Sequence, residues 1–173
     1  GGALRHSPMW SLVIGLLVKE FCMKFLKKVF CLGKKSDMNV EKSRFVQKYR
    51  NFGCVVYPDS APENWMDIIS DMHVPCFISP LHDHDISPVG NEPEKPHYHV
   101  MFMYEREISF DQIKEVVSSF GGFCGMTIIS AKDYAQYLCH LGNPNKNYQY
   151  DPEDVKSFAG ADYLSICGLT SDV

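Results

Sequence analysis

From residue 38 onward, short apolar runs alternate with longer segments of helical spacing. Residues 39–49 are polar and basic and lead into an apolar strand over 52–57, ended by Pro58-Asp59-Ser60. Ala61-Pro62-Glu63-Asn64 opens a helix in which Trp65, Ile68, Ile69 and Met72 fall on one face. A strand over 76–81 and another over 97–104 flank a loop rich in Pro, Gly, Asn and Glu, a pattern that predicts a hairpin. Ser109 stands as a helix cap ahead of Ile113, Val116, Val117 and Phe120, with Gly121-Gly122 as the stop. A fourth strand over 126–130 and a helix over 131–141, ended by Gly142-Asn143-Pro144, complete the pattern.

The order β-α-β-β-α-β-α predicts an α+β domain of the ferredoxin-like, split β-α-β type: a central antiparallel sheet with helices on one face. Residues 151–173 give only short helical hints. The domain is therefore expected over residues 38–160, with 161–173 as the start of a truncated C-terminal region.

Residues 1–37 differ in character. They carry seven basic residues against two acidic ones, whereas the remainder carries ten basic against nineteen acidic. Their apolar run over 9–18 is too short to span a bilayer, and Lys19-Glu20 interrupts it. No small-x-small cleavage site follows the run. The favoured reading is a non-native extension with Met38 as the true start; the alternative is a basic amphipathic surface helix. The 45% hydrophobic and 22% charged composition is that of a globular chain. Seven scattered cysteines with no C-x-x-C pair indicate neither a disulfide framework nor a zinc ribbon, and point to a reducing cytoplasm.

Pro96-His97-Tyr98-His99-Val100 carries the most specific chemistry. In a strand, residues two apart share a face with Cα atoms roughly 6.5 to 7 Å apart, so His97 and His99 can hold one metal ion. A lone H-x-H pair often arises by chance. Here His82 and Asp85, one hairpin away, offer a further nitrogen and oxygen, a mixed set suited to Mn²⁺, Co²⁺ or Mg²⁺. Asp83 and His84 should point elsewhere. Tyr134, Tyr137 and His140 recur every three residues along one helical stripe. Either tyrosine suits packing with its hydroxyl at the rim, or nucleophilic attack on a phosphodiester polarised by the metal, since a free phenol titrates near pH ~10 and needs such help.

Taken together, Ile78-Ser79-Pro80-Leu81-His82-Asp83-His84-Asp85, Lys95-Pro96-His97-Tyr98-His99-Val100 and Tyr137-Leu138-Cys139-His140-Leu141 resemble the HUH endonucleases. Within them the chain is most similar to the replication initiator (Rep) proteins of small rolling-circle plasmids of Gram-positive bacteria. The resemblance covers residues 52–151 and keeps the three motifs in order. It implies a divalent metal, Mn²⁺ or Mg²⁺, held by His82, Asp85, His97 and His99. It also implies a catalytic tyrosine at Tyr137, with Tyr134 as its rival. Such a protein nicks one strand at the plasmid's double-strand origin, leaves a 5′-phosphotyrosyl link and a free 3′-OH, and closes the strand by the reverse, topoisomerase-like step. The implied partners are plasmid origin DNA, as duplex and as single-stranded hairpin, the host replication machinery, and further copies of the chain through a C-terminal region. No membrane is implied.

Phosphate contacts are expected from Lys42, Arg44, Lys48, Arg50, Lys95 and Lys132. The acidic body confines such contacts to a local strip. Two other readings stay open on the sequence: a non-catalytic DNA-binding module with a structural metal, and a cupin-like metal enzyme. The second is weakened because Glu105 follows His99 at an unusual distance and helices interrupt any barrel.

Overall fold

A computed structural model describes residues 48–87, 92–143, 146 and 148–169. The expectations for residues 1–37, and for Lys42 and Arg44, lie outside the described residues. Five strands, β1 (Lys48–Val56), β2 (Cys76–Ile78), β3 (Tyr98–Ser109), β4 (Phe123–Thr127) and β5 (Lys156–Phe158), form one sheet in the order β4-β1-β3-β2-β5. Every pairing is antiparallel. Helix α1 (Trp65–Asp71) joins β1 to β2, and α2 (Phe110–Ser119) joins β3 to β4. Each helix thus links strands that have a third strand between them, which is the split β-α-β expected for the α+β class and is consistent with the HUH endonuclease fold.

Period-two alternation divides the sheet into two faces. Phe52, Cys54 and Val56 of β1, Cys76 and Ile78 of β2, and Val100 and Phe102 of β3 are buried against Trp65 and Ile69 of α1 and Ile113 and Val117 of α2. Each such fully buried side chain contributes about 1.5–3 kcal/mol relative to exposure. Phe77 and Met101, one residue out of phase, point to the opposite face. There they pack with Ala135 of α3 (Ala131–Tyr137), Leu138 just after it, and Tyr163 of α4 (Tyr163–Cys167). The one-faced arrangement thus describes the two crossover helices, while α3 and α4 add a second layer on the other side.

Local signals explain most boundaries. Ser109 caps α2 in a reciprocal box: its hydroxyl accepts from the Gln112 amide, and the Gln112 side chain accepts from the Ser109 amide. Gly121, at φ 76°, turns the chain out of that helix. Strand β3 runs on to Ser109, five residues past the apolar run, because β1 pairs with it across a bulge at Tyr49/Asn51. Helix α3 ends at Tyr137, short of residue 141, and His140 adopts a left-handed φ of 57°. The segment after residue 151 contributes a 3₁₀ turn (Pro152–Asp154), β5 and α4. Tyr163 donates to the Ala135 carbonyl at 2.9 Å and Gln136 donates to that of Cys167 at 3.1 Å, so α4 braces α3. Among the described residues no helix is long and apolar enough to cross a membrane.

Candidate metal centre

Three histidines converge where β3 begins. His82 and His97 face each other in an isolated antiparallel bridge, with amide-to-carbonyl bonds of 2.8 and 3.2 Å. His99 follows two residues later on the same face. The Ser79 hydroxyl fixes this corner by accepting from the His99 amide at 2.9 Å and donating to the Pro80 carbonyl at 2.7 Å. The ring centroids of His82, His97 and His99 lie 4.8 to 5.3 Å apart, and all three rings are buried.

Hydrogen bonds to backbone carbonyls determine which nitrogens face inward. His97 Nδ1 donates to the Lys95 carbonyl at 2.8 Å, leaving Nε2 as a lone pair 3.2 Å from His99 Nε2. His82 Nε2 donates to the Leu138 carbonyl at 2.9 Å, and His140 Nδ1 donates to that of Tyr148 at 3.0 Å. Besides His99 Nδ1, two ring nitrogens are buried without a protein hydrogen bond, His82 Nδ1 and His140 Nε2. They lie 3.7 and 3.6 Å from Asp85 Oδ2. Lone pairs are thus turned toward a carboxylate, an arrangement that suits a cation among them. Adjacent ligands on an octahedral ion with bonds of about 2.1 Å stand about 3 Å apart, close to the His97–His99 nitrogen spacing. His82, His97 and His99 form one set with ligand atoms mutually within 4.8 Å; His82, Asp85 and His140 form a second, and Asp85, Glu94 and His97 a third.

The electrostatics agree with neutral imidazoles around an ionised carboxylate. Burial pushes the His99 ring well below its ordinary pKa, with further lowering from His82, His97 and His140. His97 is also lowered, chiefly by burial, and His140 is brought to about 4 by the same cause. Burial alone would raise Asp85. The Lys146 ammonium at 2.6 Å outweighs it and holds the carboxyl far below the usual carboxylate range. Tyr150 donates to Asp85 Oδ1 at 3.3 Å and stacks on His82 with ring centroids 4.3 Å apart.

The two tyrosines of α3 take different positions. The Tyr137 hydroxyl lies 3.5 Å from His99 Nε2. The tip of the Tyr134 ring is pressed onto the backbone of Gly53 in β1, where any Cβ would collide with it. The structure therefore brings His82, Asp85, His97, His99 and Tyr137 together and turns Tyr134 to the sheet.

The basic residues scatter. Lys48 pairs with Ser109 at the end of β1 remote from Val55, which pairs with His99; seven residues of strand make that about 23 Å. Arg50 belongs to the same remote end. Lys132 lies against Gly168 at the C-terminus of α4. Lys95 alone of the described set stands beside the centre, paired with Asp59 at 2.8 Å. Sequence reasoning passed over Lys146, Tyr150 and Glu94, and quoted His140 without a ligand role. His140 had a signal, its place in the Tyr-Leu-x-His motif. The other three lie in loops without periodicity.

An open antiparallel sheet with a buried histidine and carboxylate cluster at one strand end separates this chain from the β-barrel metal enzymes. The profile of "Plasmid replication protein, origin binding domain" matches residues 44–163, and the chain belongs to that family. It is similar to the replication protein RepB of Lactiplantibacillus plantarum, 39% identical over 86% of this chain and 66% of that protein. It is also similar to a replication protein of Staphylococcus aureus, 34% identical over 70% of this chain and 60% of that protein, and to RepB of Streptococcus agalactiae, at 29%, 64% and 56%. The chain thus spans 56 to 66% of the length of these curated relatives.

Proposed function

We propose that this chain is the origin-binding and nicking part of a rolling-circle plasmid initiator, with Tyr137 as nucleophile and His82, Asp85, His97 and His99 as ligands of a divalent metal. The observation that carries this reading is the Tyr137 hydroxyl at 3.5 Å from His99 Nε2, beside the paired His97 and His99 nitrogens. A bound Mn²⁺ or Mg²⁺ would polarise the scissile phosphodiester and offset the charge that develops on it. The chain's own part is positional. The brace from α4 to α3 orients Tyr137, and the carbonyl bonds to His82 and His97 hold their basic nitrogens inward. The phenolic oxygen attacks phosphorus as the bond to the 3′-oxygen breaks, and the proton lost by the phenol is made up on that leaving oxygen, so that a 5′-phosphotyrosyl ester and a free 3′-OH result. Reversal by the 3′-OH closes the strand.

Origin DNA is the proposed partner, the host replication machinery would extend the freed 3′ end, and the cytoplasm is the proposed compartment. Assembly with further copies falls to sequence that the relatives have beyond the matched region.

The test is a covalent adduct. With Mn²⁺ and a single-stranded oligonucleotide bearing the cognate origin hairpin, wild type is expected to give a protein–DNA band on a denaturing gel, and Tyr137→Phe to give none. No adduct with wild type, or an equal band with Tyr137→Phe, overturns the reading in favour of a binding module with a structural metal.

A further inference from the structure

We propose that Tyr57 and Phe123, with Lys95, form a platform for the unpaired bases of single-stranded DNA beside the metal centre; the proposal rests on the nicking reading above. Phe123 on edge strand β4 pairs with Val55, which in turn pairs with His99, so all three share one sheet face. Its side chain is 46% exposed. Tyr57, the residue after β1, bridges the gap: its ring centroid lies 5.8 Å from that of Phe123 and 6.0 Å from that of His97. Aromatic surface therefore runs without interruption from a proposed metal ligand to the sheet edge. Neither Tyr57 nor Phe123 is among the residues of the two hydrophobic clusters.

The chemistry of the rim selects the occupant. Lys95 Nζ sits over one face of the Tyr57 ring, 4.9 Å from its centroid, and its side chain is half exposed. Its carboxylate partner, Asp59, is itself exposed, so a backbone phosphate can take its place. Flat apolar faces beside one exchangeable cation match a strand whose bases are unstacked and whose phosphates follow alongside. A duplex keeps its base faces stacked inside and offers this surface nothing to stack on.

The experiment measures anisotropy of three fluorescein-labelled probes: an oligothymidylate of about twelve nucleotides, the same length of abasic deoxyribose phosphate, and a mixed-sequence duplex. Wild type, Phe123→Leu and Tyr57→Leu are compared, with thermal melts confirming folded protein. Each substitution should weaken oligothymidylate binding by roughly tenfold, leave duplex binding unchanged, and make no difference on the abasic strand, which wild type should already bind weakly. Equal oligothymidylate affinity in wild type and both folded variants overturns the platform, as does an equal loss on duplex. An unfolded Tyr57→Leu leaves the decision to Phe123→Leu, whose exposed side chain makes its removal tolerable. Adduct formation on the cognate origin separates the two ideas: adduct without selective stacking loss sinks the platform alone, and stacking loss without wild-type adduct sinks the nicking reading alone.

Discussion

Tyr134 rests the tip of its ring on the backbone of Gly53, at the one position of β1 where the sheet offers no side chain to meet it. That seat sets how closely α3 approaches the sheet, and with it where Tyr137, one turn on, presents its hydroxyl. Gly53→Ala places a methyl in the space the phenol occupies, so the helix must lift or the ring must swing. Overpacking of this kind costs about 1–3 kcal/mol. We expect Gly53→Ala to lose most adduct formation while keeping duplex origin binding, and Tyr134→Phe to keep at least half of the adduct yield, read on the same gel. A Tyr134→Phe protein as inert as Tyr137→Phe would make Tyr134 the nucleophile.

The inward-facing nitrogens of His82 and His140 predict a metal effect that can be read without DNA. A ligand that binds only the folded state stabilises it by mass action, about 2.7 kcal/mol at one hundred times its Kd. Mn²⁺ should therefore raise the Tm of wild type by several degrees in a calorimetric scan. His97→Ala with His99→Ala should abolish the rise and retain far-UV helix and strand signal. An unchanged rise in the double variant would remove those two residues from the ligand set.

How much of this was legible beforehand follows from which residues obey a period. The split sheet could be read because Phe52, Cys54 and Val56 alternate with their neighbours and Ile113, Val117 and Phe120 keep helical spacing. His97 and His99 were legible for the same reason, being two apart in extended chain where β3 begins. The second helical layer was not, because Phe77 and Met101 sit inside continuous apolar runs in which neither face can be told from the other. Lys146 and Tyr150 reach Asp85 from 61 and 65 residues away in sequence, through a stretch whose residues follow no hydrophobic period that would forecast its path. The different positions of Tyr134 and Tyr137 depend on Gly53, a contact between β1 and α3 that no spacing rule contains.

Ser109 offers a control that touches stability alone. Its cap is legible in sequence and complete in structure, and the residue lies at the end of β3 remote from His99. Ser109→Ala should cost about 1 kcal/mol in urea unfolding. Adduct yield per folded molecule should not change, and a parallel loss of yield would show that α2 communicates with the site.

Acid should weaken the metal-free fold before it reaches ordinary carboxylate titration. Burial lowers His97, His99 and His140 in the folded state, His140 to about 4, whereas each titrates near ~6.5 once unfolded. The unfolded chain therefore binds more protons as pH falls, and stability present above pH ~6.5 is lost progressively toward pH ~4. Asp85, held down by its partners, adds a loss of the same sign below pH ~4. Urea midpoints measured in chelator from pH 7.5 to 4.5 should fall, and His99→Gln should flatten the slope. A flat wild-type profile would mean that these rings are not buried neutral.

Lys146 and a metal ion would have opposing claims on Asp85. The ammonium lies 2.6 Å from Asp85 Oδ2, the oxygen toward which His82 Nδ1 and His140 Nε2 are also turned. Without metal, Lys146 supplies the only formal positive charge bonded to that buried carboxylate among the described residues. With metal, the same ammonium adds like-charge repulsion close to the ion. Removing it should act in two directions at once. Lys146→Met should lower the Tm of the metal-free protein, because a buried carboxylate loses its counter-ion, a loss typically worth a few kcal/mol. The same substitution should enlarge the Mn²⁺-induced rise in Tm and tighten Mn²⁺ binding in calorimetric titration. A variant that loses stability and metal binding together would mean that Lys146 organises the carboxylate for the ion rather than competing with it.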